Sequence, residues 1–178
     1  MITYKGFKKD LTCRGKQFEI GSLNAEPKAK CANTGNHSAE NPIDVLRYSP
    51  DISDSVYCVC NAGGDIDEDA NDSKVASTEL EIIRVLSLRD FFLHILIYLS
   101  KHPDVEHYKV KREEGKTGED GYVIVCGEHP TAQGQKAGDI LALLQVDSHG
   151  KAHALNVLTV GQNGIKAGKI YNVFGGEE

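Results

Sequence analysis

No run of this sequence is apolar for long enough to cross a bilayer. The longest, Phe91–Leu99, contains His94, whereas a spanning helix needs about 20 apolar residues. The lysine-rich opening Met1–Asp10 lacks the apolar stretch of a secretion signal, so a soluble, cytoplasmic protein with no membrane partner is expected. Tryptophan is absent, and methionine occurs only at the start. The 5 cysteines, Cys13, Cys31, Cys58, Cys60 and Cys126, are odd in number and irregularly spaced. They form no evident disulfide framework, and reduced thiols are the expectation. Also missing are a P-loop, a dinucleotide fingerprint, a G-x-S-x-G elbow and an H-E-x-x-H pair. No cofactor is implied.

What is present is an ordinary globular composition, 40% hydrophobic and 26% charged in 178 residues. That length suits one α+β domain, residues 1–178, in which residues 1–104 hold a central helix and residues 105–178 are β-rich. The net charge of -6 is unevenly spread. Residues 1–30 carry 7 basic and 3 acidic side chains, residues 31–82 carry 2 and 11, and residues 83–178 carry 11 and 12. An acidic middle argues against nucleic acid as a direct ligand, because binding it calls for a basic footprint.

Two helices announce themselves by their caps. Asn41, Pro42 and Asp44 start one over about 42–48, which ends before Pro50. Ser87 and Asp90 start another, running to about Lys101. Leu88, Phe91, Phe92, Ile95, Leu96 and Leu99 give it a helical period, and Ile97 and Tyr98 make it apolar almost all round. Short strands are expected at 2–7, 16–20, 56–61, 74–84, 107–111 and 121–126, then at 140–146, 152–160 and 170–174. The stretch Asp65–Asp72 reads as an acidic loop and 128–138 as another loop. The fold expectation is therefore a mostly antiparallel sheet packed on one long buried helix, with a C-terminal β-meander.

The blocks Tyr4-Lys-Gly-Phe7, Asp10-Leu-Thr-Cys-Arg-Gly15 and Gln17-Phe-Glu19 are distinctive, as is Cys31-x-x-x-Gly35-x-His37-x-x-Glu40-Asn-Pro42-x-Asp44-Val45. Together they resemble an uncharacterised domain family found in bacteriophages and prophages. The resemblance covers most of residues 1–90 and implies a phage or prophage origin, hence the cytoplasm of a bacterial host, with no established activity. Relatives read Gly-Phe-His-x-Cys where this chain reads Gly35-Asn-His37-Ser-Ala39.

Several constellations bear on chemistry. Arg14, His37, Glu40 and Asp44 are the candidate cleft of an enzyme acting on a nucleotide or NAD, along ADP-ribosyltransferase-like lines. Asp65, Asp67, Asp69 and Asn71 imitate the start of a calcium loop, but Ala70 and Ala76 stand where an EF-hand needs Gly and Glu. Cys31 with His37 lacks the close paired ligands of a zinc site. Cys58 and Cys60 share one face of a strand, as buried small hydrophobes do. The leading functional expectation is a phage or prophage accessory protein that binds a host or phage macromolecule, an inhibitor of bacterial antiviral defence being one form. The nucleotide-acting enzyme and a virion module are the alternatives.

Overall fold

The structure, a computed structural model, describes residues 1–70, 72–104 and 106–178. Two compact units divide the chain, Met1–Phe91 and Phe92–Glu178.

The first unit is built on a long hairpin, β6 (Ser55–Glu68) with β7 (Lys74–Leu86). The opening strand β1 (Ile2–Lys8) pairs antiparallel with β6, and β5 (Asn36–Ala39) pairs with both β1 and β7. The pairings run β1–β6–β7–β5 and return to β1, so the sheet closes on itself as a small barrel. β4 (Leu23–Ala25) lies beside β7 at Leu80. The interior holds Phe7, Phe18, Cys58, Cys60, Leu80 and Ile82. It is also polar: Thr3, Lys5, Asn24, Asn36, Ser38 and Ser77 are all buried. Two minimal strands, β2 (Thr12–Cys13) and β3 (Lys16–Gln17), form a hairpin of their own.

Helix α1 (Pro42–Tyr48) starts where its cap requires. The Asn41 side chain accepts from the Ile43 amide at 3.0 Å, and Pro42 follows. Gly6 lets the end of this helix approach β1, because a Cβ there would lie 2.3 Å from Ser49 Oγ.

Helix α2 (Leu88–Lys101) begins in the first unit and continues into the second. The Ser87 hydroxyl accepts from the Asp90 amide at 3.1 Å. Phe91 stacks on Tyr57 within the first unit, while Phe92 meets Tyr122 within the second.

In the second unit β8 (Val110–Lys116), β9 (Tyr122–Gln133) and β10 (Ile140–Val146) lie parallel, with Val110 beside Ile124 and Ile140 beside Tyr122. β11 (Ala152–Thr159) and β12 (Ile170–Asn172) add antiparallel edges. Val123, Val125, Leu141, Leu143 and Tyr171 form the core on one face of this sheet.

This corrects the expected fold class. The molecule is mostly β, 49% strand against 12% helix, with several sheets rather than one sheet packed on a long helix. The C-terminal region is not a simple meander either. Residues 122–127 and 140–144 are buried without interruption, the pattern of parallel strands covered on both faces rather than of strands with a wet side. The expected loop at 128–138 is mostly strand, since β9 continues to Gln133. The expected acidic loop is in part strand as well, because β6 runs on through Asp65–Glu68 and pairs with β7.

Candidate functional site

The first unit carries a groove of about 770 Å³, bordered by β1, the β2–β3 hairpin, β5 and the end of α1. Strand alternation decides what reaches its inner end. Thr3, Lys5 and Phe7 share one face of β1, opposite Cys60, Cys58 and Val56 of β6. Lys5 is thus carried into the barrel on the same side as Phe7. It is only 8% exposed, and its Nζ donates to the His37 carbonyl at 2.6 Å. The rings of Phe7 and Phe18 each lie 5.4 Å from that nitrogen. Among the described residues no carboxylate pairs with it. Burial holds the Lys5 pKa below its ordinary value; Arg14 lowers it further, against the opposing influence of Cys13 and Cys60.

Arg14 stands at the tip of the β2–β3 hairpin. It and Gly15 form the two-residue turn, with φ of 50° and 81°. A tight hairpin turn of this kind requires left-handed backbone at both central positions. The geometry presents the exposed guanidinium at the groove.

Lys16 follows, tied to Glu26 at 2.5 Å and to Asn36 Oδ1 at 3.1 Å. Asn36 passes the chain of bonds on to the Asn24 carbonyl, and Asn24 Nδ2 reaches the Leu80 carbonyl at 3.0 Å. Lys16 is therefore a fixed structural cation, whereas Lys8 and Arg14 on the groove's rim have no ion pair among the described residues.

His37 and Ser38 line the groove from β5. Burial, followed by the charges of Lys5 and Arg14, lowers the His37 pKa. Its ring is bonded to the Lys30 backbone, yet among the described residues its buried Nε2 meets no hydrogen-bond partner. The Ser38 hydroxyl is also buried, with no hydrogen-bond partner among the described residues. Tyr48 is 48% exposed on the border; its hydroxyl donates to Asp72 and accepts from Lys74 Nζ.

Arg14 and His37 from the expected cleft therefore meet here, while Glu40 and Asp44 do not line the groove. The Asp44 carboxylate instead accepts from Ser73 Oγ at 2.7 Å, clamping α1 to the start of β7. Glu40 is exposed, and its amide donates to the Ser73 carbonyl.

The acidic stretch is tied internally. Asp67 accepts from the Cys31 amide at 2.7 Å, Asp69 pairs with Lys74 at 3.1 Å, and the Asp65 amide donates to Thr78 Oγ1. Asn71 lies outside the described residues. Among the described residues no group of three His, Cys, Asp or Glu side chains is arranged to hold a metal ion. Burial pushes the thiols of Cys58 and Cys60 up to about 12, which suits inert core residues.

Lys5, Lys8, Ser38 and Tyr48 are among the groove residues that the candidate cleft read from the sequence did not include. The signal for Lys5 was available: it sits two positions before Phe7 on a strand, so it points where Phe7 points.

A second cavity, about 440 Å³, lies in the second unit and is bordered by His102, His107, Arg112 and Cys126. Its imidazoles serve local structure. His102 Nδ1 bonds the Tyr98 carbonyl and its ring stacks on Tyr98, while His107 Nδ1 accepts from the Lys109 amide. No helix among the described residues is long and apolar enough to cross a membrane.

A family model described as a domain of unknown function, DUF7666, matches residues 1–94, which include the whole groove-bearing unit. No curated protein and no solved structure matches the chain.

Proposed function

The chain belongs to the DUF7666 family of unknown function, and from that premise we propose that its first unit binds a small anionic molecule of the nucleotide class in the Lys5 groove. The observation that carries this reading is the buried ammonium of Lys5, which opens onto a groove and has no carboxylate paired with it among the described residues. An unpaired buried charge is costly, and an anionic ligand supplies the missing counter-charge. The groove's volume is within the usual range for small-molecule sites. Lys8 and Arg14 offer phosphate contacts at its rim, and the half-exposed Tyr48 ring offers a surface for a base. A fluorescence thermal-shift series with ADP, AMP and adenosine tests it. ADP raises the midpoint through binding linkage, adenosine does so least, and Arg14→Gln reduces the ADP effect. Equal indifference to all three refutes the reading.

The second reading is a phage or prophage accessory protein that binds a macromolecule inside a bacterial host. It is favoured by the carboxylates gathered at the end of the β6–β7 hairpin, Asp65, Asp67, Glu68 and Asp69. Capture of one specific partner from a bacterial lysate, lost on converting these aspartates to asparagine, supports it.

A further inference from the structure

Lys5 and Ser38 meet at the inner end of the groove, each short of hydrogen-bond partners. The pairing of Tyr4 with Ala39 sets the register of β1 against β5, and one step along it sets Lys5 opposite Ser38 on the barrel's inner face. Lys5 Nζ has three hydrogens; one goes to the His37 carbonyl, another faces the Cys13 thiol, and the third has no acceptor among the described residues. Ser38 is 6% exposed and lines the same groove, and its hydroxyl has no hydrogen-bond partner among the described residues. Buried polar groups are normally satisfied, so an ammonium and a hydroxyl that both have bonds to spare make a subsite for a small anion. Further out, the exposed guanidinium of Arg14 is a second cationic station on the groove's border. Of the acids that border the groove, Glu26 is paired with Lys16, while Asp51 and Asp54 follow Tyr48 past the end of α1. Like-charge repulsion disfavours a phosphate among those two aspartates and leaves that end to an uncharged base.

We propose that the groove takes a nucleoside diphosphate phosphate-first, with the terminal phosphate received by the Lys5 ammonium and the Ser38 hydroxyl and the preceding phosphate held by Arg14. The inference rests on the nucleotide reading above and names which end of the ligand that same site reads. A terminal phosphate carries close to two negative charges and three acceptor oxygens. It therefore accepts from the ammonium, which can only donate, and from the hydroxyl, which is free to do so. A base or a sugar at the inner end would satisfy the hydroxyl and leave the buried charge without a counter-charge. A dianion beside Lys5 also favours its charged form. The planar fork of Arg14 matches the oxygens of the second phosphate. Lys5 and Ser38 are 8% and 6% exposed, so only a small group reaches both. A terminal phosphate esterified to a second sugar is thereby rejected.

The experiment is isothermal titration calorimetry of the full chain at pH 7 with ADP, inorganic pyrophosphate and ADP-ribose, whose second phosphate is capped by a sugar. The expected result is that pyrophosphate binds without base or sugar, and that ADP-ribose binds about tenfold or more weakly than ADP. Ser38→Ala lowers the affinity for pyrophosphate several-fold while the thermal midpoint holds or rises, since a buried unpaired hydroxyl is removed. Lys28→Gln, on the surface outside the groove, leaves the affinity unchanged. Should Ser38→Ala fail to fold, the comparison of ADP with ADP-ribose on the wild type decides alone. ADP-ribose binding as tightly as ADP overturns the proposal, as does pyrophosphate binding equally to wild type and a folded Ser38→Ala. In either case the groove reading survives as long as ADP binds, and only the orientation falls. If neither ADP nor pyrophosphate binds, both fall.

Discussion

Lys5 Nζ donates to the His37 carbonyl at 2.6 Å, and among the described residues no acid pairs with this buried cation. An ammonium held this way reduces stability. Lys5→Met is therefore expected to match or exceed the wild type in thermal midpoint at pH 7, while losing any ligand-induced shift. A marked fall in midpoint, measured by circular dichroism, contradicts this.

The same residue sets a pH dependence. Its folded pKa is below the ordinary 10.5, so the unfolded chain binds more protons between those two values. Stability contributed by this group therefore rises with pH across that window. Cys58 and Cys60, held near 12 in the fold, act in the opposite sense above their ordinary value of 9. Lys5 itself lowers the Cys60 pKa, so the difference between wild type and Lys5→Met reports the lysine most directly below the thiols' ordinary value of 9. Denaturant melts of the pair should converge as pH rises toward 10.5; a constant gap refutes the assignment.

His37 makes a second titration. Its folded pKa is below the ordinary 6.5, so the stability it contributes is present above 6.5 and is lost as pH falls toward the folded value. His37→Gln should flatten the decline in stability below pH 6.5. An unchanged acid limb in urea melts would show that His37 does not cause the decline.

Gly6 tests how α1 is seated. A Cβ at this position meets Ser49 Oγ at 2.3 Å and Ser49 Cβ at 2.5 Å. Gly6→Val should cost about 1–3 kcal/mol by overpacking, and adding Ser49→Gly should recover most of the loss. Equal destabilisation of the single and double variants would place the strain elsewhere.

Local chemistry was readable where a few adjacent residues decide it. Asn41 with Pro42 and Ser87 with Asp90 marked both helix starts, because a cap acts over one turn. The direction of strand pairing was not readable. The runs Tyr122–Cys126 and Ile140–Leu144 look alike whether their neighbours are parallel or antiparallel, and their partners lie far along the chain. The candidate site divided in the same way. Arg14 and His37 fall in the groove, whereas Asp44 is taken by Ser73, 29 positions away, a contact no local pattern reveals. The direction of Lys5 was readable from its place two positions before Phe7 on a strand, whereas its burial and its bond to the His37 carbonyl depend on β5, which lies about 30 positions away.

The most direct test is an amide chemical-shift titration of the full chain with ADP. The account predicts saturable shifts concentrated at Lys5, Arg14 and residues 36–39, weakened by Lys5→Met. Shifts absent from those positions, or concentrated on the 440 Å³ cavity beside His102 and Arg112 instead, would contradict it.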